Sequence, residues 1–352
     1  MRILQVMAGG EHGGAETAFV DMCIALHEAG ETIEVVTRPN DIRVPRLRAA
    51  GIKVHTLAFG GKVDVFTPWK MRRIIRAFRP DIVQSWMSRA PSKVPGWKKS
   101  MGIARYYHVA RLGNYYKMKY FKSADGFVGI TPEVCTYIVK HTGRAERVRH
   151  INNFAEVETV EQAAERGAYG VPEGAPLLLG LGRLHDDKAF DTLIQVVAQM
   201  PGVYAWIAGE GPDRGKLEAL IEELGVGERV TLLGWRTDRA ALLQACDICT
   251  FISRDEPFGT VFVQAWAQGT PVVVCDSDGP RQFVRHEEDG MMAPIDDIAA
   301  IKDCIQCLID DADLAEKLVC NGRRRYEAEF TKETCLQGYL QFYHDIQSSS
   351  FV

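Results

Sequence analysis

No stretch of this 352-residue chain approaches the roughly 18 consecutive apolar residues that cross a bilayer, so no membrane-spanning helix is expected. The opening residues, MRILQVMAGG, have neither the apolar length nor the small-residue cleavage site of a secretory leader. A basic excess is also missing. The formal net charge is -4 and the isoelectric point lies near 6.2, which argues against a dedicated nucleic-acid binder. There is no sign of a disulfide framework: the nine cysteines are odd in number and scattered, a pattern that suits reduced thiols and a cytoplasmic location. Two C-x-x-C spacings, Cys246/Cys249 and Cys304/Cys307, would permit zinc. The first pair falls in a strand-like run, CDICTFI, where residues three apart face opposite ways. The second fits the apolar stripe of a helix-like run, so buried free thiols are expected at both. The glycines after the first apolar run are not spaced as G-x-G-x-x-G, which disfavours a nicotinamide or flavin dinucleotide.

What is present is an alternation. Hydrophobic residues make up 46% of the chain and charged residues 25%, and the length is comfortable for two cores. RILQVMA, TIEVVTR, KVHTLAF and DIVQSW read as strands, separated by the helical runs AETAFVDMCIALHEAG, VPRLRAAGI and TPWKMRRIIRAFRP. Repetition of strand, loop and helix with right-handed crossovers builds a parallel sheet covered on both faces. Residues 1–155 are therefore expected as one doubly wound α/β domain. Residues 156–175, polar and rich in Glu, Ala and Gly, read as a linker. From 176 to 330 the alternation resumes, with LLLGLGRL, VYAWIAGEG, RVTLLGW, ICTFIS and PVVVCD as strands, and 331–352 close the chain in a helical stretch. In such folds ligands collect beyond the carboxyl ends of the strands.

Three strand ends carry candidate chemistry. Gly9, Gly10, Gly13 and Gly14 follow the first strand and precede a helix, where bare backbone and free N–H groups suit an anion or a tight turn equally. In GLGRLHDDKAFDTLI, Arg183 and Lys188 stand between a strand and a helix, where two fixed cations can neutralise a diphosphate and stabilise it as it leaves. In SRDEPFGTVFVQAWAQGTPVV, Glu256 ends a strand, and Phe258, Gly259 and Thr260 lead into the next helix. That helix start can hold phosphate oxygens while the carboxylate accepts hydrogen bonds from sugar hydroxyls. A carboxylate beside a diphosphate would be repelled, so Glu256 belongs over the sugar. Asp276 and Asp278 form a literal D-x-D, read as an acidic turn before Gly279-Pro280 rather than a metal site.

With these motifs the chain resembles the family-4 retaining glycosyltransferases of the GT-B fold. The resemblance rests on GGAE at Gly13–Glu16, on DIVQSWM, GRLHDDKAFDTLI and AGEGPDR, and on SRDEPFGTVFVQAWAQGTPVV. It implies two Rossmann-like domains facing each other across a cleft, with the C-terminal helix returning to the first domain. It further implies that Arg183 and Lys188 bind the diphosphate and that Glu256, first acid of an E-x7-E motif, contacts the donor sugar. Gly13 and Gly14 would face the phosphates, and backbone near Gly234 and Trp235 would meet the base. Where the family carries its second acid this chain has Gln264, which can still bond ribose hydroxyls as donor and acceptor. The implied reaction needs neither metal nor cofactor. It moves a hexose-type sugar from a nucleotide-diphosphate sugar to a glycan or lipid-linked acceptor in lipopolysaccharide or other cell-surface polysaccharide biosynthesis. A nucleotide-sugar epimerase, a sugar phosphorylase and a non-catalytic sugar-nucleotide-binding protein are the alternatives, the last opposed by retention of Arg183, Lys188 and Glu256.

The first domain is expected to hold the acceptor. Between Asp81 and Asp125 no acidic residue occurs, whereas residues 89–122 hold Arg89, Lys93, Lys98, Lys99, Arg105, Arg111, Lys117, Lys119 and Lys122, interleaved with seven Trp, Tyr and Phe residues. Basic residues near an anionic leaflet contribute roughly 1 kcal/mol each, and Trp and Tyr favour the headgroup level. Peripheral contact with an anionic membrane is one reading of this segment; a solvated basic surface over core aromatics is the other. His12, Trp86 and His108 are read as lining an acceptor pocket, or as packed side chains.

Overall fold

The computed structural model describes residues 1–11, 13–61, 64–158 and 160–348. The chain divides into two compact units, one running from Met1 to Asn153 and resuming at Lys332, the other spanning Phe154–Thr331. In the first unit the order is β1 (Arg2–Met7), α1 (Gly14–Glu28), β2 (Thr32–Thr37), α2 (Arg43–Ala49), β3 (Lys53–Thr56), α3 (Phe66–Phe78), β4 (Ile82–Trp86), β5 (Tyr107–Leu112), β6 (Gly126–Gly129), α4 (Pro132–Thr142) and β7 (Val148–His150). These strands form one parallel sheet in the order β3-β2-β1-β4-β5-β6-β7. Because helices cover such a sheet on both faces, β1 and β4 are buried along nearly their whole length, the polar Gln5, Gln84 and Ser85 included.

The second unit repeats the plan with β8 (Leu177–Leu181), α5 (Phe190–Ala198), β9 (Tyr204–Ala208), α6 (Arg214–Glu223), β10 (Val230–Gly234), α7 (Arg239–Ala245), β11 (Ile248–Phe251), α8 (Thr260–Gln268), β12 (Val272–Cys275), α9 (Pro280–Phe283), β13 (Met291–Ala293), α10 (Ile298–Asp310) and α11 (Ala312–Glu329). Its parallel sheet has the order β10-β9-β8-β11-β12-β13. In each sheet the order reverses once, between β1 and β4 and between β8 and β11. A crevice opens beyond the carboxyl ends at such a switch point, so the topology alone marks the loops after β8 and β11.

The structure adds strands at Tyr107–Leu112 and Met291–Ala293 that the pattern of the sequence does not announce. β5 is masked by its polar members, yet His108 and Arg111 are both fully enclosed in the core. The polar segment 156–175, read as a linker, is fastened to the second unit. Ala164 N–H donates to the Ala241 carbonyl, and Arg166 bonds the Ala245 carbonyl at 2.6 Å and the Asp247 carboxylate at 2.7 Å. The closing helix α12 (Lys332–Ser348) packs in the first unit, where Lys332 pairs with Glu28 at 2.6 Å and the Tyr343 hydroxyl donates to Gln84. All nine cysteines are unbonded, and burial pushes the Cys249 thiol up to about 12. Among the described residues no helix is long and apolar enough to cross a membrane.

Candidate active site

At the switch point of the second unit, β8 runs out through Gly182 to an exposed Arg183. The next amide, of Leu184, donates to the Glu210 carbonyl beyond β9 at 3.1 Å. These loops touch backbone to backbone: a Cβ on Gly211 would lie 2.2 Å from the Leu184 oxygen, so only glycine fits. A tight turn at Asp186–Lys188 follows, and Ala189, which joins it to α5, takes a left-handed φ of 53°. Lys188 Nζ donates to the Glu256 carboxylate, which arrives from the carboxyl end of β11. Both side chains are largely covered, so bulk salt screens the pair less than a surface pair. Two of the three residues assigned to bond breaking are thus in direct contact, with Arg183 on the same strand end as Lys188.

Behind Glu256 a glycine turn leads into a helix start. Gly259 has φ 101°, and a Cβ there would meet Phe251 Cε1 at 2.7 Å and Phe262 Cδ1 at 2.8 Å. This turn starts α8 at Thr260 without a side-chain cap, leaving its first N–H groups for a ligand. Gly259→Ala therefore combines backbone strain with overpacking and is expected to destabilise the fold by about 1–3 kcal/mol, read as a lower urea midpoint. An unchanged midpoint would show that the loop reshapes freely. Gln264 lies one turn below Thr260 on the same face and is half-buried. Phe258 needs correction as a donor contact: its ring is buried among Phe262, Phe283 and Phe330, so only its backbone faces the loop. Gly234 ends β10 at φ 71°, and Trp235 beside it is 66% exposed, an open aromatic face at the neighbouring strand end. Asp276 accepts from the Ile295 amide at 3.2 Å and Asp278 pairs with Arg281 at 3.0 Å.

The first unit departs further from expectation. Gly13 caps α1 and Gly14 opens it, but the Glu16 carboxylate of the same helix folds back to accept the Gly10 amide at 2.6 Å. An anion approaching this helix start meets a carboxylate already there. His12 lies outside the described residues. Trp86 is a core residue: its Nε1 donates to Gln5 Oε1 at 2.8 Å, its ring meets Phe19 edge-on at 5.4 Å, and the Arg111 guanidinium lies 4.5 Å from its centroid. His108 is enclosed as well, with Nε2 2.7 Å from Ser85 Oγ and Nδ1 3.0 Å from Ser123 Oγ. Ser123 donates its own proton to the Val94 carbonyl, so it accepts from Nδ1–H and the ring is neutral; burial brings its pKa down to about 4. Within residues 89–122, Tyr106, Arg111 and Phe121 are likewise core, not surface.

One residue that sequence reasoning passed over stands out by its bonding. Arg254, two before Glu256, spends every guanidinium N–H. Nη1 and Nη2 take the two oxygens of Asp191 at 2.9 and 2.7 Å, and Nε reaches Asp296 at 2.7 Å. Nη1 also bonds the Asp186 carbonyl at 2.8 Å and Nη2 the Thr192 hydroxyl at 3.0 Å. These bonds push the Arg254 pKa up and help hold Asp296 below the usual carboxylate range. No spacing rule announces this, because the partners lie 42 to 68 residues away.

The chain is similar to known proteins along nearly its whole length. Residues 12–159 match the family described as Glycosyltransferase Family 4, and residues 161–325 match Glycosyl transferases group 1. The lipopolysaccharide core biosynthesis glycosyltransferase LpsE of Rhizobium meliloti (strain 1021) is 33% identical over 339 residues, 94% of this chain and 96% of its own. LpsD of the same organism is 30% identical, covering 97% and 98%. Among solved structures, Anabaena HepE in complex with UDP has a TM-score of 0.84 at 22% identity, covering 98% of this chain and all of that one. The apo lipopolysaccharide outer core galactosyltransferase WaaB has a TM-score of 0.76 at 18% identity, covering 98% and 99%. With relatives matched from end to end and a strand-end site built from Arg183, Lys188 and Glu256, the chain belongs to the family-4 glycosyltransferases and has their GT-B fold.

Proposed function

We propose that this glycosyltransferase retains configuration and moves a hexose-type sugar from a nucleotide-diphosphate sugar to a hydroxyl of a growing lipopolysaccharide core or related lipid-linked glycan, on the cytoplasmic side of the membrane. The observation that carries the reading is the Lys188–Glu256 pair at the β8/β11 switch point, beside exposed Arg183 and the uncapped start of α8. In the ligand-free chain the ammonium and the carboxylate satisfy each other. A donor replaces that contact with two: its diphosphate takes Lys188, Arg183 and the α8 amides, and its sugar hydroxyls donate to Glu256. The C1–O bond to the diphosphate then breaks through an oxocarbenium-like transition state, with the fixed cations stabilising the departing charge. The acceptor oxygen bonds C1 from the face the diphosphate leaves, and its proton passes to a phosphate oxygen. Two protein cations and a helix start supply the charge that a metal would otherwise bring, and Asp276 and Asp278 are already engaged elsewhere.

HepE was solved in complex with UDP, so UDP is the first nucleotide to test, and the names of LpsE and LpsD, lipopolysaccharide core biosynthesis glycosyltransferases, support the acceptor class. UDP is expected to raise the thermal midpoint equally with and without EDTA. No shift from UDP, GDP, ADP or CMP would overturn the donor-site reading; a shift abolished by EDTA would overturn the metal-free one.

The acceptor's lipid anchor fits a peripheral contact at the first unit. Around the basic segment 89–122 the aromatics that reach solvent are fewer than the sequence suggests, but α3 adds its own. Val65, Phe66 and Trp69 are 69%, 71% and 50% exposed, followed by Lys70, Arg72, Arg73 and Arg76 with no acid on the helix. Met71 and Ile75 of α3 share a core with Val94 and Tyr106, so helix and segment form one basic, aromatic region. Phe66→Ala with Trp69→Ala is expected to lower flotation with anionic liposomes at least about tenfold. Equal recovery of the wild type on neutral and anionic vesicles would sink the idea.

A further inference from the structure

We propose that Arg254 is the positioning residue of the donor site: it locks the Asp186–Lys188 turn to the Glu256 segment and so sets where Lys188 and Glu256 present their charges. This rests on the donor-site reading above and adds a residue that acts without touching the donor.

The case begins with what must be held together. Lys188 ends a single three-residue 3₁₀ turn after β8 and Glu256 lies on a loop after β11, so no long helix or strand holds either. Arg254 joins the two by backbone and side chain at once. Its amide donates to the Asp187 carbonyl at 2.8 Å, and its Nη1 donates to the Asp186 carbonyl at 2.8 Å. The same guanidinium grips Asp191 in the first turn of α5 and Asp296 beyond β13, and the Thr192 hydroxyl closes the ring by donating to Asp296 at 2.8 Å. Three strand-end loops therefore meet on one planar fork.

Two further features show that this hub constrains its surroundings. Ala189 and Asp296 both have left-handed backbone, φ 53° and 58°, although neither is glycine. Such conformations persist where neighbouring contacts over-determine them. Here Ala189 follows Lys188 directly and Asp296 is bonded by Arg254 itself. A guanidinium offers five N–H groups in a fixed fork and an ammonium three on a flexible stem, so lysine cannot span the same partners. The hub is 21% exposed at its centre.

The test uses the full chain with Arg254→Gln, Arg254→Lys, Lys188→Ala and the double variant Arg254→Gln/Lys188→Ala. UDP affinity is measured by titration, and amide hydrogen exchange of residues 184–190 and 252–258 is measured without ligand. Arg254→Gln is expected to weaken UDP by about 10–100-fold, by analogy with the loss of a hydrogen-bond partner that orients a metal ligand. It should weaken UDP far less when Lys188 is already absent, because its effect runs through that residue. Exchange should quicken in those two segments and not across the remaining core, and Arg254→Lys should fail to restore either property. Equal weakening of UDP in both backgrounds, or unchanged exchange in both segments, would overturn the proposal. If wild type binds none of UDP, GDP, ADP and CMP while exchange responds as described, the donor reading fails and the positioning role stands.

Discussion

Lys188→Ala is expected to lower the rate of sugar transfer at saturating donor by about 10²–10³-fold, the cost of removing one preorganised charge partner from a developing anion. The residue is fixed before any donor arrives, paired with Glu256 and with its ammonium 5.7 Å from the Phe251 ring centroid, so its charge is oriented without reorganisation at the moment of reaction. The variant also removes the cation that Glu256 pairs with in the free chain, so the carboxylate's charge is no longer offset as the donor diphosphate approaches. UDP at a hundred times its dissociation constant should add about 2.7 kcal/mol to the wild type, and the variant should lose most of that. Wild-type rate and an undiminished UDP shift in Lys188→Ala would remove Lys188 from the mechanism. A loss of UDP binding with no loss of rate at saturating UDP-sugar would assign it to uniform binding rather than to the transition state.

The second large effect lies in the first unit and concerns pH. His108 is neutral in the fold, its pKa brought down to about 4 by burial, whereas in the unfolded chain it titrates near 6.5. As pH falls from 6.5 towards 4 the unfolded chain binds a proton that the folded chain refuses, so stability present above 6.5 is progressively lost through that window. Over the whole window the loss amounts to roughly 3 kcal/mol. Asp125, whose carboxylate accepts the His108 amide at 2.8 Å, is pushed up by burial and acts in the opposite sense, its contribution being greatest at low pH and lost as pH rises. It is common to wild type and variant, so the comparison isolates the histidine. His108→Gln keeps two polar groups near Ser85 and Ser123 and cannot titrate. Its stability, from urea unfolding at pH 4.5, 5.5 and 6.5, should fall less steeply than wild type's. Parallel slopes would show that His108 does not titrate between those values.

Much of the architecture was legible because it is local. β8 and β12 are buried parallel strands written as unbroken apolar runs, and β1 and β4 differ only by the buried Gln5 and the pair Gln84-Ser85. Lys188 and Glu256 were legible as candidates because each sits at a strand end followed by a helix, where backbone amides and fixed charges face a ligand. β5 was hidden because its core positions include His108 and Arg111, polar residues whose burial is tolerable only with partners from distant chain, among them Ser85 and Asn153. For Trp86, read as a pocket wall or a packed side chain, and for Phe258 at the donor-side helix start, sequence left open where the ring points. An aromatic near a strand end looks the same in sequence whether its ring faces the crevice or the core, and here both rings face the core.

By itself the sequence determined the two doubly wound sheets and the strand ends at which Arg183, Lys188 and Glu256 stand as candidates, and its motifs together carry the resemblance to the family. The sheets follow from periodicity and the motifs from residues within a few positions of one another. Only the tertiary structure decided that Lys188 meets Glu256, that Glu16 takes the Gly10 amide, that Phe66 and Trp69 of α3 are exposed, and that Arg254 gathers three loops. Each of those facts pairs residues far apart in the chain or turns a side chain to one face or the other. That choice is made by packing and by the need of every buried polar group for a partner, neither of which a local pattern encodes.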